Sequence, residues 1–219
     1  LIKDDGHIVF ELPDCEKLFL NGDCTTVWEE HIFYFFETTF KNFLAINNFE
    51  IVFWKSWKYP IENCMVAIVK KKKKIHKLQD KISQVRDKNI FLDFGKLYKE
   101  RKARIRKILE NFLKNNGKIC ILGAGHLSIS FISLLEIGKL VDFALDDNEF
   151  KAGYMLPINN IPIKPTKYLN TENSKLCLIG ANPQHHDKIR KKLSHFEKNG
   201  GIIASIFPST PLYLEDVLK

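Results

Sequence analysis

Lys118-Ile119-Cys120-Ile121-Leu122-Gly123-Ala124-Gly125-His126 is the stretch that decides the fold of this chain. Residues 118–122 form a short apolar run rich in β-branched side chains, which predicts a buried strand. Two glycines follow in a loop, and residues 127–138 then carry apolar side chains at a spacing that predicts a buried helix. A strand, a glycine loop and a helix in this order are typical of α/β domains that bind nucleotides.

The glycine loop predicts an anion site. Because Gly123 and Gly125 lack side chains, the backbone can approach a ligand, and the first helical N–H groups then face an anion. Residues 141–145 predict the next strand, and Asp146 follows it, 21 residues beyond Gly125, at a spacing typical of a carboxylate that accepts ribose hydroxyls. Ser128 stands where the dinucleotide fingerprint has its third glycine. Two interpretations stay open: a nucleotide or nucleotide-sugar pocket, or a fold whose glycines serve only the turn.

Strand and helix patterns continue to alternate after Asp147. Residues 175–180 and 202–207 predict strands, and residues 184–198 predict one basic helix between them. This alternation predicts a parallel, doubly wound, Rossmann-like sheet over residues 117–219, with ligands bound beyond the carboxyl ends of its strands. That edge would gather the candidate substrate-binding residues Gly123, Gly125, His126, Asp146, Asn182 and His185. Paired histidines at a helix start, such as His185 and His186, are more often cap or rim residues than catalytic ones.

Residues 1–69 predict part of a different sheet. The patterns indicate strands at residues 7–12, 49–57 and 64–69, a helix at residues 38–47, and irregular structure at residues 15–23. A strand, a helix and a final pair of strands are the closing half of an α/β sheet. We therefore expect an incomplete sheet whose opening strands are absent from this chain.

A basic segment separates these two parts. The net charge of +8 arises from an excess of Lys and Arg in residues 70–118, including five consecutive lysines at residues 70–74. Helical patterns at residues 75–85 and 91–115 predict a helical linker over residues 70–116. The lysine run is interpreted as a solvated linker start, with a phosphate-binding tail as the alternative. No nucleic-acid-binding motif accompanies the charge, so nucleic acid is not an expected partner.

Composition points to a cytoplasmic protein. No apolar run approaches the roughly 18 residues of a membrane span, and no signal peptide is visible. The five cysteines are scattered and odd in number, and two of them lie in strand patterns, so free thiols are expected. No Cys/His spacing suggests a metal site.

Three segments of the N-terminal part resemble a known family. Residues 7–14, 28–36 and 49–52 look like the back half of the S-adenosylmethionine-dependent sugar C-methyltransferases. That family reads roughly tyrosine-histidine-glutamate-histidine, one residue, serine-tyrosine-phenylalanine where this chain has residues 28–35. Glu30, His31, Tyr34 and Phe35 match this motif, whereas Trp28, Glu29 and Phe33 depart from it. Residues 123–125, 146–148, 151–153, 156–157 and 161–163 are similar to the family's C-terminal Rossmann-like domain.

The resemblance implies catalytic roles for Glu30 and His31. Methylating a carbon next to a ketone requires removal of an α-proton, after which the enolate attacks the methyl group of S-adenosylmethionine. Histidine suits proton removal near neutral pH, and a neighbouring carboxylate can orient its ring. The resemblance also implies that Trp28 and Tyr34 contact the substrate. From the residues alone, His31 can equally be a loop histidine packed among aromatic side chains.

Two functions follow as hypotheses. The first is the C-terminal part of a methyltransferase acting on a nucleotide-linked keto-sugar, in which residues 1–69 belong to the methyltransferase domain and residues 117–219 hold the nucleotide end. Most of the S-adenosylmethionine site would then lie outside this chain, and the chain alone would be inactive. The alternative is a non-catalytic Rossmann-like module that binds a nucleotide or nucleotide-sugar and works with a partner chain.

Overall fold

The computed structural model describes residues 2–3, 5–27, 31–72, 81–171 and 173–219, with only the backbone for residues 81–83. Contacts within the chain divide it into two units. The first consists of Leu1–Gly22 and Glu29–Lys96, and the second of Asp23–Trp28 and Leu97–Lys219. Each unit contains one β-sheet. The predicted domain boundaries after residues 69 and 116 stay predictions.

The first unit is built on a three-stranded antiparallel sheet. Its strands are β1 (His7–Asp14), β2 (Phe49–Trp57) and β3 (Asn63–Lys71), in the order β1-β3-β2. All three were predicted from the sequence pattern, and the structure confirms them. Because β3 runs antiparallel to both neighbours, β1 and β2 run in the same direction on either side of it.

One helix covers a face of this sheet. Helix α2 (Glu37–Ile46), which confirms the helix predicted at residues 38–47, packs Phe40 and Leu44 against Met65 and Val69 of β3. A short helix, α1 (Glu16–Leu20), occupies part of the segment predicted to be irregular, so that prediction was wrong. A helix of one turn is too short to show periodicity, and burial of its apolar side chains by tertiary contacts stabilises it.

Helix α3 (Lys81–Asn115) is 35 residues long and continuous. The predicted separation of two helices between residues 85 and 91 was therefore wrong, while residues 75–80 of the first predicted helix lie outside the described residues. Asp87 in this interval is buried and accepts a hydrogen bond from the Thr38 hydroxyl, which stabilises a helical turn that has no apolar periodicity of its own. Further along, one face of the helix is buried and carries Ile105, Leu109 and Phe112, as predicted.

The second unit is a five-stranded parallel sheet of Rossmann-like topology. Its strands are β4 (Lys118–Leu122), β5 (Phe143–Leu145), β6 (Ile163–Lys164), β7 (Ser174–Ile179) and β8 (Ile202–Ser205), in the order β6-β5-β4-β7-β8. Four of them confirm predicted strands. Strand β6 has only two residues and lies between prolines, so no periodic signal marks it. The strand order reverses between β4 and β7, which is where such sheets bind ligands.

Helices and turns cover both faces of this sheet. Cys120, Cys177 and their neighbours face one core cluster, which also contains Leu193 and Phe196. The intervening residues of the same strands point to the opposite face and are buried as well. Besides the part of α3 from Leu97 onward, this unit contains the helices α4 (His126–Leu135), α5 (His186–Lys192), α6 (Ser194–Lys198) and α7 (Leu214–Val217).

The single helix predicted at residues 184–198 is broken. A 3-10 turn at Pro183–His185 precedes α5, and the chain leaves helical geometry at Leu193 before α6 begins. Leu193 is buried in the core cluster, so the break brings its side chain and that of Phe196 onto the same apolar surface. Tertiary packing thus overrides a continuous helical pattern.

Two kinds of feature are absent from the part of the chain that the structure describes. No helix there combines the length and apolar character needed to cross a membrane. Nor does any group of three or more His, Cys, Asp or Glu side chains in that part converge as metal ligands would.

Candidate functional site

The two glycines of the loop after β4 have different roles. Gly123 has a φ of +105°, and a β-carbon at this position would lie 3.3 Å from Ala181 N and from Gly180 C. Gly125 has an extended backbone, and a β-carbon there would have nothing within 4 Å. The first glycine is therefore required by conformation and close packing, whereas the second leaves open space beside the start of α4.

Helix α4 begins at this open space without a side-chain cap. Gly125 is its N-cap residue and supplies no side-chain hydrogen bond to the first turn. His126, the first helical residue, is exposed. An uncapped helix N-terminus carries a partial positive charge and favours an anion.

Asp146 anchors the glycine loop. Its Oδ2 atom accepts hydrogen bonds from the Ala124 N–H, at 3.0 Å, and from Lys151 Nζ, at 2.9 Å. Its Oδ1 atom accepts a further bond from the Asn148 N–H, at 3.0 Å. Burial acts to raise the pKa of Asp146, but the bonds from Lys151 and the two amides outweigh it and lower the pKa. The carboxylate therefore stays ionised and holds the loop to the end of β5.

Lys151 is a functional candidate that the sequence analysis did not select. Its Nζ atom lies 2.9 Å from both Ala124 O and Asp146 Oδ2, so the ammonium is fixed against the glycine loop. In the sequence this lysine belongs to one of the segments that resemble the family, and the loop was expected to favour anions through its backbone alone. The signal that could have identified it is its position in the loop directly after Asp146.

Asp147, the adjacent carboxylate, has different partners. Its Oδ1 atom accepts the Thr166 N–H at 2.9 Å, and Lys192 donates to its Oδ2 atom. Burial acts to raise the pKa of Asp147, but the hydrogen bonds from Lys192 and Thr166 outweigh it and bring the pKa to about 2. Of the two neighbouring acids, only Asp146 contacts the glycine loop.

Ser128 replaces the expected third glycine, and Gly180 compensates for it. A β-carbon at Gly180, directly after β7, would overlap Ser128 Oγ and lie 3.1 Å from Ser128 Cβ. The helix therefore packs closely on the strand ends with a serine at this position, because the glycine is on the other side of the contact. Ser128 is fully buried, and its hydroxyl has no hydrogen-bond partner among the described residues.

The residues after β7 mainly cap the turn there. Asn182 Oδ1 accepts a hydrogen bond from the Gln184 N–H at 3.0 Å. His185 is exposed, whereas His186 is buried with its Nε2 atom 2.9 Å from Ala181 O. Burial lowers the pKa of His186. The roles of Asn182 and His185 in binding substrate stay predictions.

His31 lies in the first unit, beside an aromatic side chain. Its ring meets the Tyr34 ring edge-on with 5.8 Å between centroids, and Tyr34 in turn meets Phe19 at 5.6 Å. The preceding candidates Trp28 and Glu30 lie outside the described residues. Their proposed contacts, and the role of His31 as a base, stay predictions.

A comparison with models of protein families identifies the family of this chain. The model of the C-methyltransferase C-terminal domain matches residues 66–208, which is more than half of the chain. The chain belongs to the C-methyltransferase C-terminal domain family. The match includes the glycine loop, Asp146, Lys151, Asn182 and His185, and it begins after His31. No curated protein matches the chain.

Membership of this C-methyltransferase family implies S-adenosylmethionine as the methyl donor, but the glycine loop of the second unit does not fit it. The donor carries a positive sulfonium and no phosphate, whereas the loop presents a helix N-terminus beside the ion pair of Lys151 with Asp146. In the described residues of the first unit, no strand is followed by a comparable glycine loop. The loop geometry suits an anion instead.

Proposed function

We propose that this chain is the nucleotide-binding part of a methyltransferase that acts on a carbon of a nucleotide-linked keto-sugar. The observation that carries the proposal is the family match over residues 66–208, which contains the glycine loop, Asp146 and Lys151. Sugar substrates of biosynthetic enzymes are commonly presented on a nucleoside diphosphate. A domain that binds the diphosphate would hold such a substrate by a part that does not react.

The diphosphate is assigned to the loop after β4. Its charge would be stabilised by the uncapped N-terminus of α4 and by the Lys151 ammonium, which the bonds to Ala124 and Asp146 hold in place. Gly125 leaves the approach open. Asp146 already accepts three hydrogen bonds from the protein, so about one of the roughly four acceptor positions of a carboxylate remains for a ribose hydroxyl. Its main role is to position the loop and the lysine.

His31 is assigned as the base that removes the α-proton. An imidazole can take up a proton near neutral pH, and proton transfer requires that its ring be held in one place. The edge-on contact with Tyr34, which itself packs on Phe19, supplies such a support. Glu30 would orient the ring from the other side, as the family motif implies.

A second candidate function is binding without catalysis. The family match runs through α3 and on through β8 of the second unit, but it begins after His31. The nucleotide-binding role therefore stands even if His31 has no catalytic part. The two functions differ in what they predict for a complex that contains this chain. If the chain only binds, replacing His31 should leave the rate of methyl transfer unchanged; if His31 is the base, the rate should fall.

The proposed binding role is tested by titrating a nucleoside diphosphate and a nucleotide-sugar into the full chain by calorimetry. We expect binding below millimolar concentration, and a loss of at least about tenfold in Gly125→Val because the valine fills the space beside the helix N-terminus. Gly95→Val is the matched control, since Gly95 also has open space around it but lies on α3. No binding at millimolar concentration, or equal binding by Gly125→Val, would contradict the proposal.

A further inference from the structure

A cavity of the second unit lies away from the glycine loop. It has a volume of about 510 Å³ and is bounded by the 3-10 turn Thr166–Asn170 and by helices α5 and α6. Pockets that hold small molecules have volumes of roughly 300–1,000 Å³. The cavity is therefore large enough for a ligand of the size of a nucleotide.

The floor of this cavity is apolar and closely packed. Leu169, Leu193 and Phe196 line it, and all three belong to the buried core on that face of the sheet. A β-carbon at Gly201 would overlap the Phe196 ring, so the close approach of this glycine backs the ring and limits its movement. Such a floor can receive a planar or apolar group without rearrangement.

The exposed lining residues are mainly basic. Lys167, Lys192 and His195 surround the mouth. Asp147 is the acid among the described lining residues, and its two oxygens are engaged by the Thr166 N–H and by Lys192. This pairing holds Lys192 at the mouth, and Lys167 adds a second ammonium group that can attract an anion. The polar groups thus form a cationic rim above an apolar floor.

We propose that this cavity binds a small molecule that joins a phosphate group to an aromatic ring. The phosphate lies between Lys167 and Lys192, where ammonium groups stabilise its charge, and the ring lies on the Phe196 side of the floor. Asp147 holds Lys192 at the rim. This site is independent of the nucleotide-sugar site assigned to the glycine loop.

The test uses adenosine 5′-monophosphate as the probe, with adenosine and inorganic phosphate as the two separate halves. Calorimetry on the full chain should show submillimolar binding of the monophosphate and at least about tenfold weaker binding of either half, since each half makes only part of the contacts. Absence of monophosphate binding at millimolar concentration would overturn the proposal. Binding of inorganic phosphate as tight as that of the monophosphate would also overturn it, because the apolar floor would then contribute nothing.

Three variants locate the probe. Lys167→Gln removes an exposed charge and should weaken binding by about tenfold, as expected for a charge-assisted hydrogen bond. Asn170→Trp places a large side chain at the exposed rim and should close the cavity without changing its core. Lys198→Gln, an exposed lysine on α6 outside the lining, is the matched control and should bind as the wild type does.

Gly125→Val separates this site from the glycine loop. In this variant, in which the glycine loop is closed, one monophosphate site should remain with the same affinity, because position 125 is not part of the cavity lining. Loss of binding in Gly125→Val, together with unchanged binding in Lys167→Gln and Asn170→Trp, would assign the probe to the loop and overturn the proposal.

Discussion

Ser128 of helix α4 packs directly against Gly180, the residue that follows strand β7, and a β-carbon at position 180 would overlap its hydroxyl oxygen. The contact joins the first turn of the helix to the strand next to β4 in the sheet. In the dinucleotide fingerprint, a glycine on the helix permits this close approach. Here the glycine is on the strand side, so the same packing is reached with a buried serine.

Replacing Gly180 by alanine should destabilise the chain. The new methyl group meets a buried side chain with little room to rotate, so we expect a loss of about 1–3 kcal/mol in the free energy of unfolding, measured by urea denaturation. The double variant Gly180→Ala/Ser128→Gly should recover part of this loss, although a helical glycine itself costs about 1 kcal/mol. Unchanged stability of Gly180→Ala would contradict the packing described here.

Ser128→Ala should leave the stability unchanged or raise it. The Ser128 hydroxyl is buried and has no partner among the described residues, so its removal relieves a desolvation cost of about 1–3 kcal/mol at most. Ser133→Ala on the exposed face of α4 is the control for the helix propensity of alanine. If urea denaturation shows Ser128→Ala to be less stable than this control, the hydroxyl has a stabilising partner.

Acid should weaken the second unit through Asp147. Hydrogen bonds from Lys192 and Thr166 outweigh the effect of burial and bring its pKa to about 2, below the ordinary value of 3.8. A carboxylate whose pKa is lower in the folded than in the unfolded chain stabilises the fold. This contribution is fully present above about pH 4 and is lost as the pH falls toward about 2. We expect the free energy of unfolding to fall less between pH 7 and pH 2 in Asp147→Asn than in the wild type, as measured by denaturation. Asp93→Asn, an exposed carboxylate on α3, should follow the wild type.

Lys151→Gln should weaken the binding of a nucleoside diphosphate to the full chain. The lysine is the cation fixed against the glycine loop, and its loss should raise the dissociation constant by about tenfold and reduce the dependence of binding on salt. Lys139→Gln removes another charge of the same unit and should have little effect. An equal effect of both substitutions would mean that only net charge matters.

His31→Ala should abolish methyl transfer by an active enzyme that contains this chain, while the affinity for nucleotide stays unchanged. Loss of a general base typically lowers the rate by about 10²–10⁴. His7→Ala, an exposed histidine on β1 of the same unit, is the control. The rate is measured as transfer of a labelled methyl group. If His31→Ala transfers methyl groups as fast as the wild type, His31 is not the base and only packs against its neighbours.

The fold was predictable where a pattern is local and long enough. Period-two alternation identified β2, short apolar patterns identified β1 and β3, and the apolar run before Gly123 identified β4. Shorter elements carry no such signal: α1 has five residues and β6 has two. The break at Leu193 could not be predicted for a different reason. The sequence around it keeps a helical pattern, and the packing of Leu193 in the core decides that the helix ends there.

The sequence by itself determined the glycine loop, the acid that follows the next strand and the parallel character of the second sheet. These depend on neighbouring residues, on backbone freedom at Gly123 and on the alternation of strands with helices. Only the tertiary structure decided that Gly180 makes room for Ser128 and that Lys151 fixes Asp146 and the loop. Contacts of this kind form when the fold brings distant segments, or the residues of one loop, close together. They leave no periodic pattern in the sequence from which they could be predicted.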